Sequence, residues 1–432
     1  MARRSGLDTF CTTFSRMKQA QPPRLLLISQ VYVPDPTAVG QHFADVTEEM
    51  AARGWDVFVF TSARAYDDPS LRFPRVEERN GVHVRRFPLS SFGKRSIPVR
   101  LLAQSLFMLQ AVVRAMFLPG LSAVVVSTSP PFAGFGGAMI GIVRRVPFLW
   151  WVMDLNPDQM VAAGKLRPTS LFVRVFDWMN RVTLRRAARV IALDRFMAER
   201  LNRKVDVSAK LLVAPPWPLN ETPPLDDAGR QRLANAGTNF RKQHGLENCF
   251  VVMYSGNHAI QHPLDTLLDA AKQLEGEPSL KFLFIGGGAG KAGVEHRIAA
   301  GATNILSLPY QPLETLEESL GAGDLHVVSM GPEVVGIVHP CKIYGAMAVG
   351  RPLLFFGPRE SHAGEIVEPQ HLGWRVEHGD LAATVAAIKQ AAGLARPEWL
   401  EMGQRAAALI TADFSRRHLR NEVCAAVEAM LK

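Results

Sequence analysis

The sequence predicts an α/β fold built from two doubly wound units. Short apolar runs alternate with amphipathic segments along most of the chain, which is the pattern of parallel strands connected by helices. The 432 residues exceed the roughly 250–300 that one hydrophobic core usually serves, so two cores are expected. The alternation is interrupted at residues 214–224, where five of eleven residues are proline and neither a helix nor a central strand can continue.

The first unit begins with an apolar run at residues 25–31, of the kind found in strands that are buried on both faces. A helix is predicted at residues 42–52, closed by Arg53 and Gly54, and it leads into a strand at 56–61. Later apolar runs predict strands at residues 82–86, 123–127, 148–154 and 189–193, with a helix at 133–143.

A second alternating series follows the proline-rich segment and predicts another parallel sheet. Its strands are expected at residues 250–254, 282–285, 305–308, 325–329, 353–356 and 373–376. These patterns divide the chain into a disordered tail, a first domain, a proline-rich hinge, a second domain and one or two terminal helices. The expected bounds are residues 1–22, 23–215, 216–240, 241–396 and 397–432.

The charge of the chain is unevenly distributed. The formal net charge is +9, but residues 1–220 carry +14 and the remainder carries −5. A basic half can meet nucleic acid, anionic lipid or a phosphorylated substrate. Nothing in the sequence has the form of a helix-turn-helix, a zinc finger or an RNA-recognition motif, so we expect no nucleic-acid partner.

Cysteine usage and hydropathy predict a cytoplasmic protein. The four cysteines lie far apart and form no CxxC pair, which suits a reducing compartment. No stretch approaches about 20 uninterrupted apolar residues, so we expect no transmembrane helix. The most apolar region, residues 101–126, is broken by Arg114, Pro119 and Gly120 and predicts a buried helix followed by a strand. The first twenty residues lack a signal-peptide core, and Met17 is an alternative start.

The most informative stretch is residues 336–356, which predicts a loop, a short helix rich in Gly and Ala, and a turn into an apolar strand. Lys342 stands at the head of that helix. The unpaired N–H groups of a helix N-terminus and the charge of a lysine together suit a diphosphate. The alternative is an ordinary loop with a surface lysine.

Asp154 and Asp158 follow the strand predicted at 148–154. The spacing is superficially that of a metal site, but a calcium loop would require Gly and Glu where Gln159 and Lys165 stand. We therefore expect no metal here. Asp154 at a strand end can accept a hydrogen bond from a substrate hydroxyl, although it could instead cap a helix.

A second strand end carries Ser255, Gly256 and Asn257. Glycine at such a position permits close approach of a phosphate to the backbone. His258 and His262 follow at the i, i+4 spacing of metal ligands on a helix, but no third ligand lies nearby in the sequence, so zinc is disfavoured.

Residues 288–293 match G-x-G-x-x-G after a strand, which is one element of a dinucleotide-binding site. A dehydrogenase would also carry an acidic residue at the end of the next strand, for the ribose. That strand ends at residues 306–310 without Asp or Glu, so a dehydrogenase is disfavoured.

In their order along the chain, these motifs resemble those of the GT-B family of retaining, group 1 glycosyltransferases. Within that family they are most similar to enzymes of bacterial surface polysaccharide synthesis. The match runs from about residue 24 and includes Arg53-Gly54, Ser129-Pro130-Pro131, Asp154 to Asp158, residues 255–257, and Pro340 to Tyr344. The resemblance implies two Rossmann-like domains that face each other across a cleft, with a C-terminal helix that crosses back to the first domain.

The resemblance also assigns site residues. It implies catalytic roles for Lys342 and Asp154. It implies that the donor and its diphosphate are bound by Gly40, Ser255, Gly256, Asn257, Gly287, Lys291, Pro309, Tyr310, Glu333 and Tyr344. No metal or other cofactor is implied, because the nucleotide-sugar is a substrate.

The chain departs from the family pattern at two places. Relatives carry a glutamate pair spaced E-x7-E, and here Ile337 and Gly345 occupy those positions, with Glu333 as a substitute. Many relatives also bind the diphosphate with an Arg and a Lys. This chain has neither at the corresponding residues 258–262. Lys342, helped by Lys291, would then provide more of the positive charge.

The resemblance implies transfer of a hexose or N-acetylhexosamine, with retention, from a nucleoside-diphosphate sugar to a saccharide or polyprenyl-diphosphate-linked acceptor. A UDP-sugar is the first candidate donor. Two alternatives stay open: a nucleotide-sugar 2-epimerase of the same architecture, and a catalytically weak partner in polysaccharide assembly, which the missing glutamates favour.

One segment of the first half has the composition of a membrane-surface helix. Residues 171–189 combine apolar side chains with five arginines at helical spacing. A basic amphipathic helix can lie on an anionic membrane, or it can pack its apolar face on the sheet with the arginines in water. Together with the basic first half, this favours peripheral contact with the inner face of the membrane.

Overall fold

The computed structural model describes residues 21–35, 37–65, 68, 70–90, 97–219, 228, 231–232, 235 and 237–431. The tail expected at residues 1–22 lies almost wholly outside this part of the chain, as do Cys11 and much of the expected hinge. Most of the described residues belong to two α/β units, each organised around one sheet.

The first unit is a sheet of eight strands in the order β3-β4-β2-β1-β5-β6-β7-β8. All neighbouring pairs are parallel except β3 and β4, which are antiparallel. The strands are β1 (Arg24–Ile28), β2 (Asp56–Ser62), β3 (Val76–Arg79), β4 (Val82–Phe87), β5 (Leu121–Val126), β6 (Phe148–Trp151), β7 (Arg189–Ala192) and β8 (Leu211–Val213).

Two of these strands, β3 and β8, escape the sequence pattern. β3 is mostly exposed and lies at one edge of the sheet, and β8 is only three residues long and lies at the other. Edge strands lack the two-sided burial that makes an apolar run, so hydropathy does not reveal them.

Within its described residues, the first unit has six helices packed around the sheet. They are α1 (Ala38–Ala52), α2 (Ile97–Met116), α3 (Ala133–Arg144), α4 (Asp158–Ala162), α5 (Leu171–Arg186) and α6 (Arg195–Lys204). The side chains of Thr37, Ser170 and Asp194 cap α1, α5 and α6 by accepting a hydrogen bond from the first turn.

The second unit is a sheet of six parallel strands in the order β11-β10-β9-β12-β13-β14. The strands are β9 (Phe250–Ser255), β10 (Leu280–Ile285), β11 (Ile305–Leu308), β12 (Leu325–Ser329), β13 (Leu353–Phe356) and β14 (Gly373–Val376). The last four confirm the bounds predicted from the apolar runs.

The remaining helices are α7 (Thr238–Gln243), α8 (Asp265–Gln273), α9 (Lys291–Ala299), α10 (Leu316–Gly321), α11 (Lys342–Ala348), α12 (His362–Val367), α13 (Leu381–Ala392), α14 (Arg396–Asp413) and α15 (Arg416–Glu428). The last of them packs against α1 of the first unit. Arg416 Nε donates to Asp45 Oδ2 at 2.8 Å, and Arg53 Nη1 donates to Glu428 Oε1 at 3.1 Å. The chain therefore crosses back to the first domain, as the GT-B plan implies.

The helix in the most apolar region differs from the prediction of a buried helix. α2 packs on the sheet through one face, which includes Ala103, Phe107 and Ala111, and leaves its other face exposed. By length and composition, residues 99–116 form a helix that could span a membrane. Only 33% of this segment is buried inside the protein. The prediction failed because apolar residues occupy both faces of this helix, and only one face meets the sheet.

Candidate functional site

The segment that follows β6 and the loop that precedes α11 meet beside Lys342 and Asp154. The segment after β6 is joined to the loop before α11 by a hydrogen bond from Leu155 N to Ile337 O, at 2.9 Å. The charges of both Lys342 and Asp154 act on the thiol of Cys341, whose pKa burial raises to about 12. The two residues predicted to be catalytic therefore lie in one region, one from each domain.

Lys342 is the first residue of α11, and its ammonium lies 5.1 Å from the centroid of the Tyr254 ring. Burial lowers the pKa of this lysine to about 8. Among the described residues, its Nζ has no hydrogen-bond or ion-pair partner. A desolvated cation supported by an aromatic face and lacking a carboxylate favours the binding of an anionic ligand.

Gly256 lets the lysine side chain lie against the backbone. Its φ of 122° is accessible to glycine but strained for other residues. A Cβ atom placed on it would lie 2.8 Å from Cε of Lys342. The strand-end glycine predicted from the sequence thus positions the predicted cation directly.

The glycine-rich turn after β10 interlocks with the turn after β9. The N–H of His258 donates to the carbonyl of Gly287 at 2.7 Å, and the N–H of Gly290 donates to the carbonyl of His258 at 2.7 Å. A Cβ atom on Gly288 would collide with Asn257 Oδ1. The two predicted donor-binding segments are therefore one structural unit.

Lys291 has a different environment from Lys342. Its Nζ donates to the carbonyls of Gly286 and Leu308, at 2.6 and 2.8 Å, and so ties the glycine-rich turn to the end of β11. The Tyr310 ring lies over the same turn, 3.2 Å from where a Cβ atom of Gly287 would stand, and Tyr310 is 46% exposed. Pro309 precedes it, and its carbonyl accepts a hydrogen bond from Gln311.

Asp154 follows β6, and its backbone N–H donates to Thr128 Oγ1 at 3.1 Å. Burial raises the pKa of its carboxyl group to about 6. No hydrogen-bond partner for that carboxyl group is found within the described residues. Asp158 differs, because it pairs with Lys204 at 2.9 Å.

A buried hydrogen-bond chain that sequence reasoning missed joins the domains beside this site. Asp194, the N-cap of α6, contacts His339 Nδ1 at 2.8 Å, and His339 Nε2 contacts Tyr344 Oη at 2.8 Å. Tyr344 Oη in turn contacts His362 Nε2 at 2.8 Å. Tyr344, predicted to bind the donor, is 1% exposed and has its hydroxyl group engaged on both sides.

Comparison with known proteins decides the family. The model of the glycosyl transferase 4-like domain matches residues 37–217, and the model of glycosyl transferases group 1 matches residues 249–393. Together they cover well over half of the chain, one in each α/β unit. The chain belongs to the group 1 glycosyltransferases.

Two curated relatives and one solved structure agree with this assignment. WcaI of Escherichia coli (strain K12), named as a glycosyl transferase of colanic acid biosynthesis, is 26% identical over 388 residues, covering 85% of this chain and 92% of WcaI. WbjE of Pseudomonas aeruginosa, named as a glycosyltransferase, is 21% identical over 85% of this chain and 89% of its own length.

The structure of Anabaena HepE in complex with UDP-glucose superposes with a TM-score of 0.68 at 16% identity, covering 94% of this chain and 99% of that one. At this identity the likeness establishes the fold, which is GT-B, as the resemblance implied. The two sheets of this glycosyltransferase are thus the two Rossmann-like halves of that architecture.

Glu333 lies in a short helical turn, Pro332–Val334, between β12 and α11. It borders a cavity of about 330 Å³ between α4, α5, α6 and the segment before α11. Arg200 also borders this cavity, and its Nε donates to the carbonyl of Val335 at 2.7 Å. The other lining residues are Pro157, Asp158, Val161, Ala162, Pro168, Val173, Asp177, Lys204 and Ile337.

Gly40 is the third residue of α1, and it is buried. A Cβ atom on it would stand 3.1 Å from the Tyr32 Cα atom and 3.0 Å from the hydroxyl of the Thr37 cap. Its small size is therefore needed to pack the start of α1 against the preceding loop. The approach of a donor phosphate to this glycine stays a prediction.

The two histidines with metal-like spacing have separate environments. His262 Nδ1 contacts the carbonyl of Ser329 at 2.6 Å, whereas the buried His258 ring has no hydrogen-bond partner. Burial, followed by the charge of Lys342, lowers the pKa of His258 to about 4 and that of His262 to about 3. Within the described ranges, no three His, Cys, Asp or Glu side chains group as metal ligands.

Proposed function

We propose that this protein is a retaining glycosyltransferase that moves a hexose or N-acetylhexosamine from a UDP-sugar to a saccharide or lipid-linked acceptor in cell-surface polysaccharide biosynthesis. The observation that carries the proposal is the pair of unpartnered groups in the cleft, the Lys342 ammonium and the Asp154 carboxyl group. The names of WcaI and WbjE support the reaction class and the polysaccharide setting.

Lys342 would bind the donor diphosphate. Transfer breaks the bond between the anomeric carbon and the diphosphate oxygen, so negative charge grows on the leaving group. A preorganised cation in a partly buried site stabilises that charge more than bulk water does. Because the ammonium has no carboxylate partner among the described residues, the diphosphate would not compete with an internal ion pair.

The nucleobase would lie near Tyr310. The half-exposed ring over the glycine-rich turn offers a flat apolar surface at the end of β11, on which a base can stack. UDP is the first candidate, and the complex of HepE with UDP-glucose supports this choice at the level of the fold. Gly256, Asn257 and Gly287 would line the path from the base to the diphosphate.

Asp154 would contact a hydroxyl group of the transferred sugar or of the acceptor. Its raised pKa leaves a mixture of neutral and charged carboxyl groups near pH 6 and a carboxylate at neutral pH. The proposed retention follows the family analogy: the departing phosphate removes the proton of the acceptor hydroxyl on the face from which it leaves. Neither step requires a metal ion.

The acceptor would enter from the first domain, which we assign to residues 23–215, while residues 241–396 would bind the donor. The cavity at Glu333 and Arg200 is a candidate entrance, because Asp158 on its wall is four residues from Asp154. Its apolar wall residues, Val161, Val173 and Ile337, suit the hydrocarbon chain of a lipid-linked saccharide. Its Lys204 already pairs with Asp158 and Asp177, so the charge for a diphosphate would have to come from elsewhere in the site. The proposed place of action is the cytoplasmic side of the membrane.

A thermal-shift panel of UDP-, GDP- and dTDP-sugars tests the donor site. Wild type should be stabilised by the sugars of one nucleotide, and Lys342→Ala should lose the shift. Lys281→Ala is the matched control, because that lysine donates only to the exposed carbonyl of Thr303. No shift with any donor would overturn the proposal.

Product analysis separates the remaining alternatives. NMR of the product formed from the stabilising donor and saccharide acceptors should show the anomeric configuration of the donor. Conversion of the donor to its 2-epimer without an acceptor would identify an epimerase instead. Binding without turnover across saccharide and polyprenyl-linked acceptors would favour the catalytically weak partner, which Ile337 and Gly345 at the glutamate positions already suggest.

A further inference from the structure

Three helices of the first domain form one continuous surface. α3 lies between α2 and α5. A Cβ atom on Gly136 would collide with Met108 of α2, and the rings of Phe135 and Trp178 are 5.7 Å apart. Arg144 closes the end of the α2–α3 pair by donating to the carbonyls of Ala115 and Met116, at 2.8 Å each. We call this surface the three-helix face.

The three-helix face is unusually apolar. Eleven of the twenty exposed large apolar side chains in the described part of the protein lie on it. Phe117 is 80% exposed and Leu171 is 75% exposed. The others are Leu102, Leu109, Val113, Met139, Ile142, Val143, Phe172, Val175 and Trp178. A surface of this kind on a water-soluble domain marks a contact with a partner or a membrane.

The charges on this face are almost all positive. Residues 97–186 contain ten Lys and Arg but three acidic residues, and α2 and α3 contain no Asp or Glu. The acidic residue on α5, Asp177, is paired with Lys204 at 2.6 Å and with Arg181 at 2.7 Å. The exposed cations are Arg100, Arg114, Arg145, Arg174, Arg185 and Arg186.

We propose that the three-helix face docks on an anionic lipid bilayer, with its apolar side chains in the headgroup boundary and its arginines against the lipid phosphates. Exposed apolar residues beside cations are the signature of interfacial helices. A second copy of this chain is a poorer occupant, because a symmetric contact would bring like arginines together. The helices would lie on the bilayer, because α2 also packs on the sheet through Phe107 and Ala111.

This inference deepens the proposed function and rests on it for the lipid-linked acceptor. α5 contributes Leu171, Val175 and Trp178 to the three-helix face, and Val173 and Asp177 to the wall of the cavity. One helix thus borders both the proposed membrane contact and the proposed acceptor entrance. An acceptor anchored in the docked leaflet would reach the cavity along α5.

Vesicle co-sedimentation of the full chain tests the docking. The probes are vesicles of phosphatidylcholine alone and vesicles in which about a third of the lipid is phosphatidylglycerol. Cations are attracted to an anionic leaflet, and salt screens this attraction. We expect at least tenfold tighter binding to the anionic vesicles. Added salt should weaken it.

Two variants assign the binding to the face. Leu109→Gln/Val113→Gln/Trp178→Gln should reduce affinity at least tenfold, and Val76→Gln/Ile298→Gln/Leu431→Gln changes as many exposed apolar residues elsewhere and should leave it unchanged. Equal binding by the first variant and wild type, or no binding of wild type to anionic vesicles, would overturn the proposal. So would a wild-type dimer that the first variant abolishes.

Donor binding separates this inference from the proposed function. The Leu109→Gln/Val113→Gln/Trp178→Gln variant should bind UDP as wild type does, because these side chains are exposed and lie on α2 and α5 of the first domain, whereas the proposed donor site lies in the second. Wild type that binds anionic vesicles but no nucleotide would preserve the docking surface and contradict the glycosyl-transfer site.

Discussion

Asp194 and His339 form a hydrogen bond of 2.8 Å that joins the first domain to the second in a fully buried position. Asp194 also caps α6 by accepting from Met197 N at 2.7 Å. Burial opposes the charge of Asp194, but the hydrogen bond and the charge of His339 hold the pKa of that carboxyl group below its usual value. Because His339 is three residues before Lys342, this contact positions the segment that carries the predicted catalytic cation.

Replacing His339 with alanine should destabilise the protein. The Asp194 carboxylate would stay buried without its partner, which costs about 3–5 kcal/mol in the free energy of unfolding. Chemical denaturation measures this loss. His418→Ala removes an exposed histidine that lies 3.7 Å from Glu422, and it should change stability by less than about 0.5 kcal/mol. Equal effects of the two variants would contradict the role assigned to the buried contact.

Asp154→Asn should lower the transfer activity without lowering the stability of the protein. Desolvation raises the pKa of this half-buried carboxyl group and no described residue bonds to it, so its neutral replacement should leave the melting temperature unchanged or raise it. Transfer should fall by about 10²–10⁴-fold if the carboxylate acts on a reacting hydroxyl. Asp158→Asn breaks the contact with Lys204 and should instead lower stability. Full activity of Asp154→Asn would exclude the proposed role.

The pH dependence of kcat/KM should be bell-shaped. Asp154, with a pKa raised to about 6, is a carboxylate only above that pH, so activity should fall as pH decreases through 6. Lys342, with a pKa lowered to about 8, is charged only below that pH, so activity should fall as pH increases through 8. kcat/KM reports these groups in the free enzyme.

Lys342→Arg provides the control for the alkaline side of the profile. Arginine stays charged throughout this range, so the decrease near pH 8 should disappear in any activity that remains. An alkaline decrease at the same pH in this variant would mean that another group titrates there.

Gly256→Ala should weaken both folding and donor binding. Alanine at a φ of 122° is strained by about 1–3 kcal/mol, and its Cβ would displace Lys342 Cε. Denaturation and nucleotide titration measure the two effects. Gly276→Ala is the control, since a Cβ atom there meets nothing within 4 Å. A Gly256→Ala variant with wild-type affinity would show that the lysine does not depend on this contact.

Much of the fold could be predicted from the sequence because buried parallel strands are apolar along their whole length. β11 to β14 begin and end at the predicted residues. The exposed β3 and the short β8 lack that signal. The exposed apolar face of α2 led to the wrong prediction of a buried helix. Hydropathy records which residues avoid water but not which surface covers them.

Some of the geometry of the candidate site could be predicted from the motifs. Lys342 and Gly256 lie against each other, because Gly256 directly follows β9 and Lys342 begins the helix after β12, the neighbouring strand of the same sheet. The chain from Asp194 through His339 to His362 was not predictable, since residues 145 positions apart meet only after both domains have folded. Lys291 likewise resembles Lys342 in the sequence, yet two carbonyl groups engage its ammonium.

If Lys342 binds the donor diphosphate, removal of its charge should weaken the binding of UDP, which calorimetric titration measures. Charge-assisted hydrogen bonds contribute about 1.5–3 kcal/mol, so Lys342→Met should bind UDP about 10- to 150-fold more weakly than wild type at pH 7. Lys281→Met should bind as wild type does. Equal affinity of Lys342→Met and wild type would show that Lys342 does not bind the diphosphate.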